Sequence, residues 1–160
     1  MILVYESIAL CLLFSIMVFF ISRNPIKTLY NYPPMIQARV KSLDEYKDKI
    51  PTEKNKIAAK LTAIVIILVI TCLIIRFING CTSLLDGFFN SLILWTVVNL
   101  FDVIVLDCIW FCHAKGFVFK GTEDMTKEYH NYWYHIKGGI IGESLGVFVC
   151  LLVGFIVSLM

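Results

Sequence analysis

Two aspartates, Asp102 and Asp107, lie inside an apolar run, Leu92–Cys112, that is long enough to cross a bilayer. A charged side chain at the centre of a membrane costs about 2.5–3.5 kcal/mol on insertion scales. Such residues therefore usually face the interior of a helix bundle, where they bind protons, ions or polar ligands. The type and position of these two residues predict a polar site within a membrane protein.

Other polar residues fall near the same depth or in the loop that follows. Asn99 lies on the same arc of a helix as Asp102, and Glu143 falls in the same depth band of the last apolar run. Histidines are concentrated in and beside the intervening loop. We therefore predict a ligand-binding site whose members are Asn99, Asp102, Asp107, His113, Glu123, His130, His135 and Glu143.

These residues allow three interpretations. The first is structural: Asp102 would pair with Asn99, with a threonine or with a lysine such as Lys60, and would only fix the packing of the helices. The second is a cation or proton site, in which Asp102, Asp107 and Glu143 could hold a divalent cation through their oxygens. The third is an enzyme pocket, in which a carboxylate or a histidine acts as general base. No other cofactor is indicated.

The hydrophobic residues predict the elements that must position this site. They make up 59% of the 160 residues, and the mean hydropathy is +0.81. They fall into four stretches, each close to the roughly 20 residues that a membrane-spanning helix needs. We predict spans over residues 4–22, 57–78, 88–111 and 138–160. The fold class is then all-α, a four-helix transmembrane bundle that forms one domain over residues 1–160.

The basic residues predict the orientation of the bundle. Of 14 Lys and Arg residues, nine lie between Arg23 and Lys60 and four between Lys115 and Lys137. Loops rich in Lys and Arg stay in the cytoplasm. The first and third loops are therefore expected to be cytoplasmic, and both termini to lie outside a cell membrane.

The first loop contains a second, shorter helical pattern. Apolar residues recur at helical spacing between Pro34 and Pro51, among them Ile36, Val40 and Tyr46. This pattern predicts an amphipathic cytoplasmic segment between the first two spans, lying on the inner surface of the membrane. A lid over the site, or a surface for a partner, is the alternative.

The last span carries small residues in steps of four. Its helix-packing positions are Gly138, Gly142, Gly146 and Gly154. Small residues at this spacing let two helices approach closely in lipid. The helix that packs there could belong to the same chain, to a second protomer or to another membrane protein, and the sequence leaves these alternatives open.

The C-terminal half also resembles a known pattern. The run from Asn99 to Asp107, the Gly121-Thr122-Glu123 segment and the Tyr132–Lys137 segment are similar to those of small four-helix bacterial integral membrane proteins of uncharacterised function. The resemblance implies the four-helix architecture. It draws attention to Asp102, Asp107, Glu123, His135 and Lys137, and implies no activity, cofactor or substrate.

Together these patterns predict a membrane-embedded binding protein. Its pocket of carboxylates and histidines would open to the cytoplasm and bind a cation or a polar group like that of a lipid headgroup, with transport by an oligomer as one use. A small membrane enzyme acting on a lipid or an isoprenoid is the first alternative, and an accessory subunit of a membrane complex is the second. The basic loops are short and adjoin helix ends, which favours contact with the bilayer over binding of nucleic acid.

Overall fold

The chain is all-helical in a computed structural model that describes residues 2–160, and these residues contain no strand. The side chains of Glu53, Lys56, Ala59 and Lys60 lie outside the description, and so does the predicted pairing of Lys60 with Asp102. The helices are α1 (Ile2–Ser22), α2 (Pro34–Ser42), α3 (Glu53–Leu73), α4 (Leu84–Phe101), α5 (Thr126–Tyr129) and α6 (Tyr132–Leu159).

Three of the long helices begin at residues suited to capping. The side chains of Thr52, Ser83 and Asn131 accept hydrogen bonds from the first turns of α3, α4 and α6 respectively. Each bond satisfies a backbone N–H that has no partner within the helix. These caps fix where the polar connections end and the apolar helices begin.

Two of the long helices continue in wider π-helical turns. α3 is extended by Ile74–Ile78, and α4 is extended by Asp102–Phe111. A π-helix has i→i+5 hydrogen bonds, is rare and is frequently found at functional sites. The second extension includes both Asp102 and Asp107, so the part of α4 expected to carry the site does not have ordinary α-helical geometry.

Four helices are long and apolar enough to cross a membrane. These stretches are Ile2–Ser22, Leu61–Ile78, Leu84–Phe111 and Thr126–Leu159. The last has a break, since α5 ends at Tyr129 and α6 begins at Tyr132. Most of their large apolar side chains face outward, away from the protein. We use the term far end for the end of the helices at which residues 79–83 join α3 to α4.

The opposite end is covered by a compact unit, the cap, formed by residues 25–49 and 113–131. Tyr32 lies at its centre and is 1% exposed. Its ring packs 4.8 Å from that of Phe111 and 4.9 Å from that of Phe119, and its hydroxyl donates to the Phe117 carbonyl oxygen over 3.0 Å. Tyr129 completes the cluster by accepting a hydrogen bond from the Phe119 N–H. The first and third loops therefore share one aromatic core.

The amphipathic segment lies in the cap and not, as expected, on the membrane surface. Ile36 and Val40 on α2 are fully buried in the aromatic cluster of the cap. This apolar face therefore lies against protein and not against the membrane surface, because the aromatic residues of the third loop cover it. Met35 remains exposed, at 64%.

A cysteine at the far end provides a test of the local electrostatics. Burial raises the pKa of the Cys81 thiol, and the Asp86 and Glu6 carboxylates raise it further. Removing a negative charge lowers this pKa and increases the thiolate fraction, which is the reactive form. We expect a small thiol reagent to modify Cys81 faster at mildly alkaline pH in Asp86→Asn, and to a smaller extent in Glu6→Gln.

Site-resolved mass spectrometry of the labelled protein measures this rate. Glu123→Gln is the control, because it removes a carboxylate in the cap, at the other end of the helices. A Cys81 labelling rate that is the same in Asp86→Asn as in the control would contradict the prediction.

Candidate functional site between α4 and α6

α4 and α6 form the most extensive helix contact of the structure, and glycines make it possible. A Cβ added to Gly154 would lie 2.5 Å from the Leu84 carbonyl oxygen, and one added to Gly146 would lie 1.9 Å from Trp95 Nε1. Glycines with lower residue numbers in α6 contact residues with higher numbers in α4. The two helices are therefore antiparallel, and the small-residue stripe packs against a helix of the same chain.

The register of the stripe differs in one turn from the one expected. A Cβ at Gly142 would lie 3.2 Å from Asn99 Oδ1, whereas one at Gly138 would meet nothing within 4 Å. Gly139 faces α4 in its place, and a Cβ there would lie 2.2 Å from Val103 Cγ2. The two glycines are adjacent in the sequence, and the strict step of four selected the wrong one of the pair.

Glu143 joins the two helices at the middle of this contact. The Thr96 hydroxyl donates to Glu143 Oε1 over 2.5 Å, and Asn99 Nδ2 donates to Glu143 Oε2 over 2.9 Å. The same Asn99 nitrogen lies 3.1 Å from the Gly139 carbonyl oxygen. Both oxygens of Glu143 are thus bonded to α4. Thr96 was missed by the sequence reasoning, although its position three residues before Asn99 places it on the same helix face.

Asp107 and His135 form a second polar contact closer to the cap. His135 Nδ1 lies 3.1 Å from Asp107 Oδ2, and the side chains are 4% and 32% exposed respectively. An ionised carboxylate can only accept hydrogen bonds, so Nδ1 carries the hydrogen in this pair. The carboxylate thereby fixes the orientation of the imidazole ring and leaves the other ring nitrogen, Nε2, for a further interaction.

The π-helical turns of α4 bring Asp102 to this pair. Residues five positions apart are offset by about 140° in an α-helix, which would direct Asp102 and Asp107 to different sides. The i→i+5 winding reduces that offset, because each turn contains more residues. Asp102 is half-buried and lies within electrostatic range of both Asp107 and His135. We call Asp102, Asp107 and His135 together the Asp–His site.

The unused nitrogen of His135 is the least satisfied polar atom of the Asp–His site. Nε2 is fully buried and has no hydrogen-bond partner among the residues that the structure describes. Its ring is flanked by Phe111, at 4.9 Å between ring centroids, and by Tyr134, at 5.5 Å. A buried polar group without a partner costs about 1–3 kcal/mol. The site can accordingly gain free energy by binding a group that bonds to Nε2.

The remaining predicted residues, His113, Glu123 and His130, lie in the cap. His113 Nε2 lies 3.0 Å from the Tyr132 hydroxyl, and the His113 and His130 rings are 4.5 Å apart on the surface. Glu123 is exposed and accepts a hydrogen bond from the Gly121 N–H over 2.8 Å. The structure thus separates the predicted residues into the Glu143 contact, the Asp–His site, a surface group formed by His113 and His130, and Glu123 at another point of the cap surface.

Two of the three carboxylates predicted to hold a divalent cation are held by other side chains. Among the residues that the structure describes, no three His, Cys, Asp or Glu side chains are arranged to hold a metal ion. Glu143 is bonded to Thr96 and Asn99, while Asp107 is bonded to His135. The divalent-cation site formed by Asp102, Asp107 and Glu143 therefore stays a prediction.

The fold and the site define a class: an all-helical protein with four helices able to cross a membrane and a polar contact between two of them. Comparison with family models, with curated proteins and with solved structures gives no match. The functional argument consequently rests on the geometry of the site.

Proposed function

We propose that this chain is a multi-pass protein of the cell membrane, with the cap in the cytoplasm and the far end outside. Four long apolar helices support the first part of this proposal. Thirteen of the 14 Lys and Arg residues lie at the cap end or in the helix turns that adjoin it, which supports the orientation. The side chain of Arg76 is the exception, near the far end.

Within that membrane protein, we propose that the Asp–His site binds the polar group of a lipid-like ligand. The single observation that carries this proposal is the buried Nε2 of His135, which has no hydrogen-bond partner in the described part of the chain. A hydroxyl or an ammonium group could donate a hydrogen bond to this nitrogen, whose partner Nδ1 is held by Asp107. The carboxylates of Asp102 and Asp107 favour a cationic or hydrogen-bond-donating group and disfavour a phosphate.

A binding experiment tests this proposal. The full chain is reconstituted in nanodiscs of phosphatidylcholine that contain small, equal amounts of phosphatidylethanolamine, phosphatidylglycerol and diacylglycerol. The lipids retained after extraction are then identified by native mass spectrometry. We expect selective retention of diacylglycerol or phosphatidylethanolamine over phosphatidylglycerol, because the two carboxylates disfavour the net negative headgroup of phosphatidylglycerol. Loss of one hydrogen bond of about 1–3 kcal/mol in His135→Gln should weaken retention by roughly 5- to 150-fold.

The matched control is His113→Gln, which makes the same change at an exposed histidine of the cap. Asp107→Asn should also weaken retention, because the orientation of the His135 ring depends on the Asp107 carboxylate. Equal retention by the unsubstituted protein, His135→Gln and Asp107→Asn would overturn the proposal.

A membrane enzyme acting on a lipid or an isoprenoid is the second candidate. One observation favours it: a carboxylate that holds Nδ1 and leaves Nε2 unused is the arrangement of a histidine general base. In that case the lipid incubated with the protein would be converted, and conversion would be lost in His135→Gln. Retention of an unaltered lipid favours binding alone.

An accessory role in a membrane complex is the third candidate, and the Glu143 contact supports it. Side-chain hydrogen bonds between helices in lipid contribute about 0.6 kcal/mol on average and stabilise packing. The glycine stripe gives no support to a second protomer, since its partner is α4 of the same chain. A variant series in which Asp102, Asp107 and His135 can all be replaced without loss of cellular function would favour this candidate.

A further inference from the structure

Two histidines and a tyrosine meet on the surface of the cap, outside the Asp–His site. The rings of His113 and His130 are 4.5 Å apart between centroids and are tilted by 42°. His113 Nε2 lies 3.0 Å from the Tyr132 hydroxyl, and the rings of His130 and Tyr132 stack at 6.4 Å. Each of the three residues thus contacts the other two, and we call the two imidazoles the His113–His130 pair.

The pair joins the two ends of the third loop. His113 follows the π-helical extension of α4, whereas His130 ends α5, just before α6 begins at Tyr132. The aromatic core of the cap holds the loop between them in a folded form. His113 is exposed and His130 is half-buried, so an ion in solution can reach both rings.

We propose that the His113–His130 pair binds one divalent transition-metal ion such as Zn²⁺. Imidazole is the commonest protein ligand for metals and suits Zn²⁺, Cu²⁺ and Ni²⁺. Bonds from Zn²⁺ to nitrogen are about 2.0–2.1 Å long, so two imidazoles on one ion must lie close together, as these two do. No third His, Cys, Asp or Glu side chain of the described residues joins them. Water would therefore complete the coordination, as it does at open zinc sites.

Tyr132 determines which nitrogen of His113 would meet the ion. A histidine that binds a metal almost always donates its other ring N–H to an oxygen. In the proposed site, His113 Nε2–H donates to the Tyr132 hydroxyl oxygen, which leaves the lone pair of Nδ1 for the ion. The Tyr132 hydroxyl is then a positioning group and not a ligand.

The surroundings of His130 leave room for the water ligands. His130 borders an open cleft of about 520 Å³ that is also lined by Met35, Lys127, Glu128 and Asn131. The opposite charges of Lys127 and Glu128 offset each other, so the cleft has no net charge that would repel a cation. A bound ion would link the end of α4 to the start of α6, and would stabilise the folded cap by mass action.

Isothermal titration calorimetry of the full chain in detergent, freed of metal with a chelator, tests the proposal. Zn²⁺ is the probe and Mg²⁺ the comparison, near neutral pH, where imidazole is largely unprotonated. We expect one Zn²⁺ per chain and no binding of Mg²⁺, which prefers oxygen ligands. Tyr132→Phe should lower the affinity by about 10-fold, as expected for a group that orients a metal ligand. His113→Gln and His130→Gln should each lower it further.

The matched control is His135→Gln, which makes the same change at the histidine of the Asp–His site and should leave Zn²⁺ binding unchanged. Zn²⁺ binding that persists at full affinity in His113→Gln or His130→Gln would overturn the proposal. Loss of binding in His135→Gln would do the same, and so would a chain that binds no Zn²⁺.

Chemical protection provides a second test that needs no variant. Diethyl pyrocarbonate modifies imidazole nitrogens, and mass spectrometry of the digested protein identifies the modified residues. We expect Zn²⁺ to slow the modification of His113 and His130 and to leave that of His135 unchanged. Equal rates at His113 and His130 with and without Zn²⁺ would contradict the proposed site.

Discussion

Gly154→Ala is expected to destabilise the protein by forcing α4 and α6 apart. The new Cβ would lie 2.5 Å from the Leu84 carbonyl oxygen and 2.9 Å from the Phe88 backbone nitrogen. Both are backbone atoms, so no side-chain rotation can relieve the overlap and α4 and α6 must separate. Overpacking of this kind typically costs about 1–3 kcal/mol, and sometimes more. Unfolding midpoints in detergent, followed by circular dichroism, measure the loss.

Gly138→Ala is the matched control, since it makes the same change in the same helix with nothing within 4 Å of the new Cβ. Alanine favours a helix over glycine by up to about 1 kcal/mol, so this variant should be neutral or slightly more stable. Equal stability of Gly154→Ala and Gly138→Ala would mean that the close contact between α4 and α6 does not exist as described.

Tyr32→Ala is expected to unfold the cap, at a cost of about 3–5 kcal/mol typical of a large aromatic residue removed from a core. The side chain is 1% exposed and packs against the rings of Phe111, Phe119 and Tyr129. Limited proteolysis of the reconstituted protein should then cleave the chain within residues 25–49, where the unsubstituted protein resists.

Two further variants separate the contributions of the ring and the hydroxyl. Tyr32→Phe keeps the ring and removes the hydrogen bond to the Phe117 carbonyl oxygen, and should cost about 0.5–1.5 kcal/mol. Tyr5→Ala makes the same truncation at a side chain that is 64% exposed on α1, and should leave proteolysis of the cap unchanged. Cleavage of Tyr32→Ala no faster than that of Tyr5→Ala would contradict the assignment of Tyr32 to the centre of the cap.

The four long helices could be predicted because each is encoded in a continuous apolar stretch. Hydrophobicity over about 20 residues is a local property, and neither packing nor partners need to be known to recognise it. The prediction of an all-helical chain with four such helices is confirmed. The start of α3 also depends on local chemistry, since the Thr52 side chain accepts a hydrogen bond from the Asn55 N–H.

The geometry of the site depends on features that the sequence does not encode locally. Helical positions expected for ordinary α-helical turns do not hold beyond Asp102, because the segment from Asp102 to Phe111 is π-helical. The burial of Ile36 and Val40 depends on aromatic residues of a distant loop. A hydrophobic face can be read from spacing, but the surface that covers it belongs to the tertiary structure.

The composition of the cap has a consequence for the order of folding. Tyr32 bonds to the carbonyl of Phe117, which is 85 residues further along the chain. Ordering so long a loop has an entropic cost that must be met before the contact can stabilise it. During synthesis, the apolar residues of the first loop therefore have no protein to cover them until the third loop has emerged. The cap should accordingly close last, and truncated chains that lack the third loop should be prone to aggregation and proteolysis.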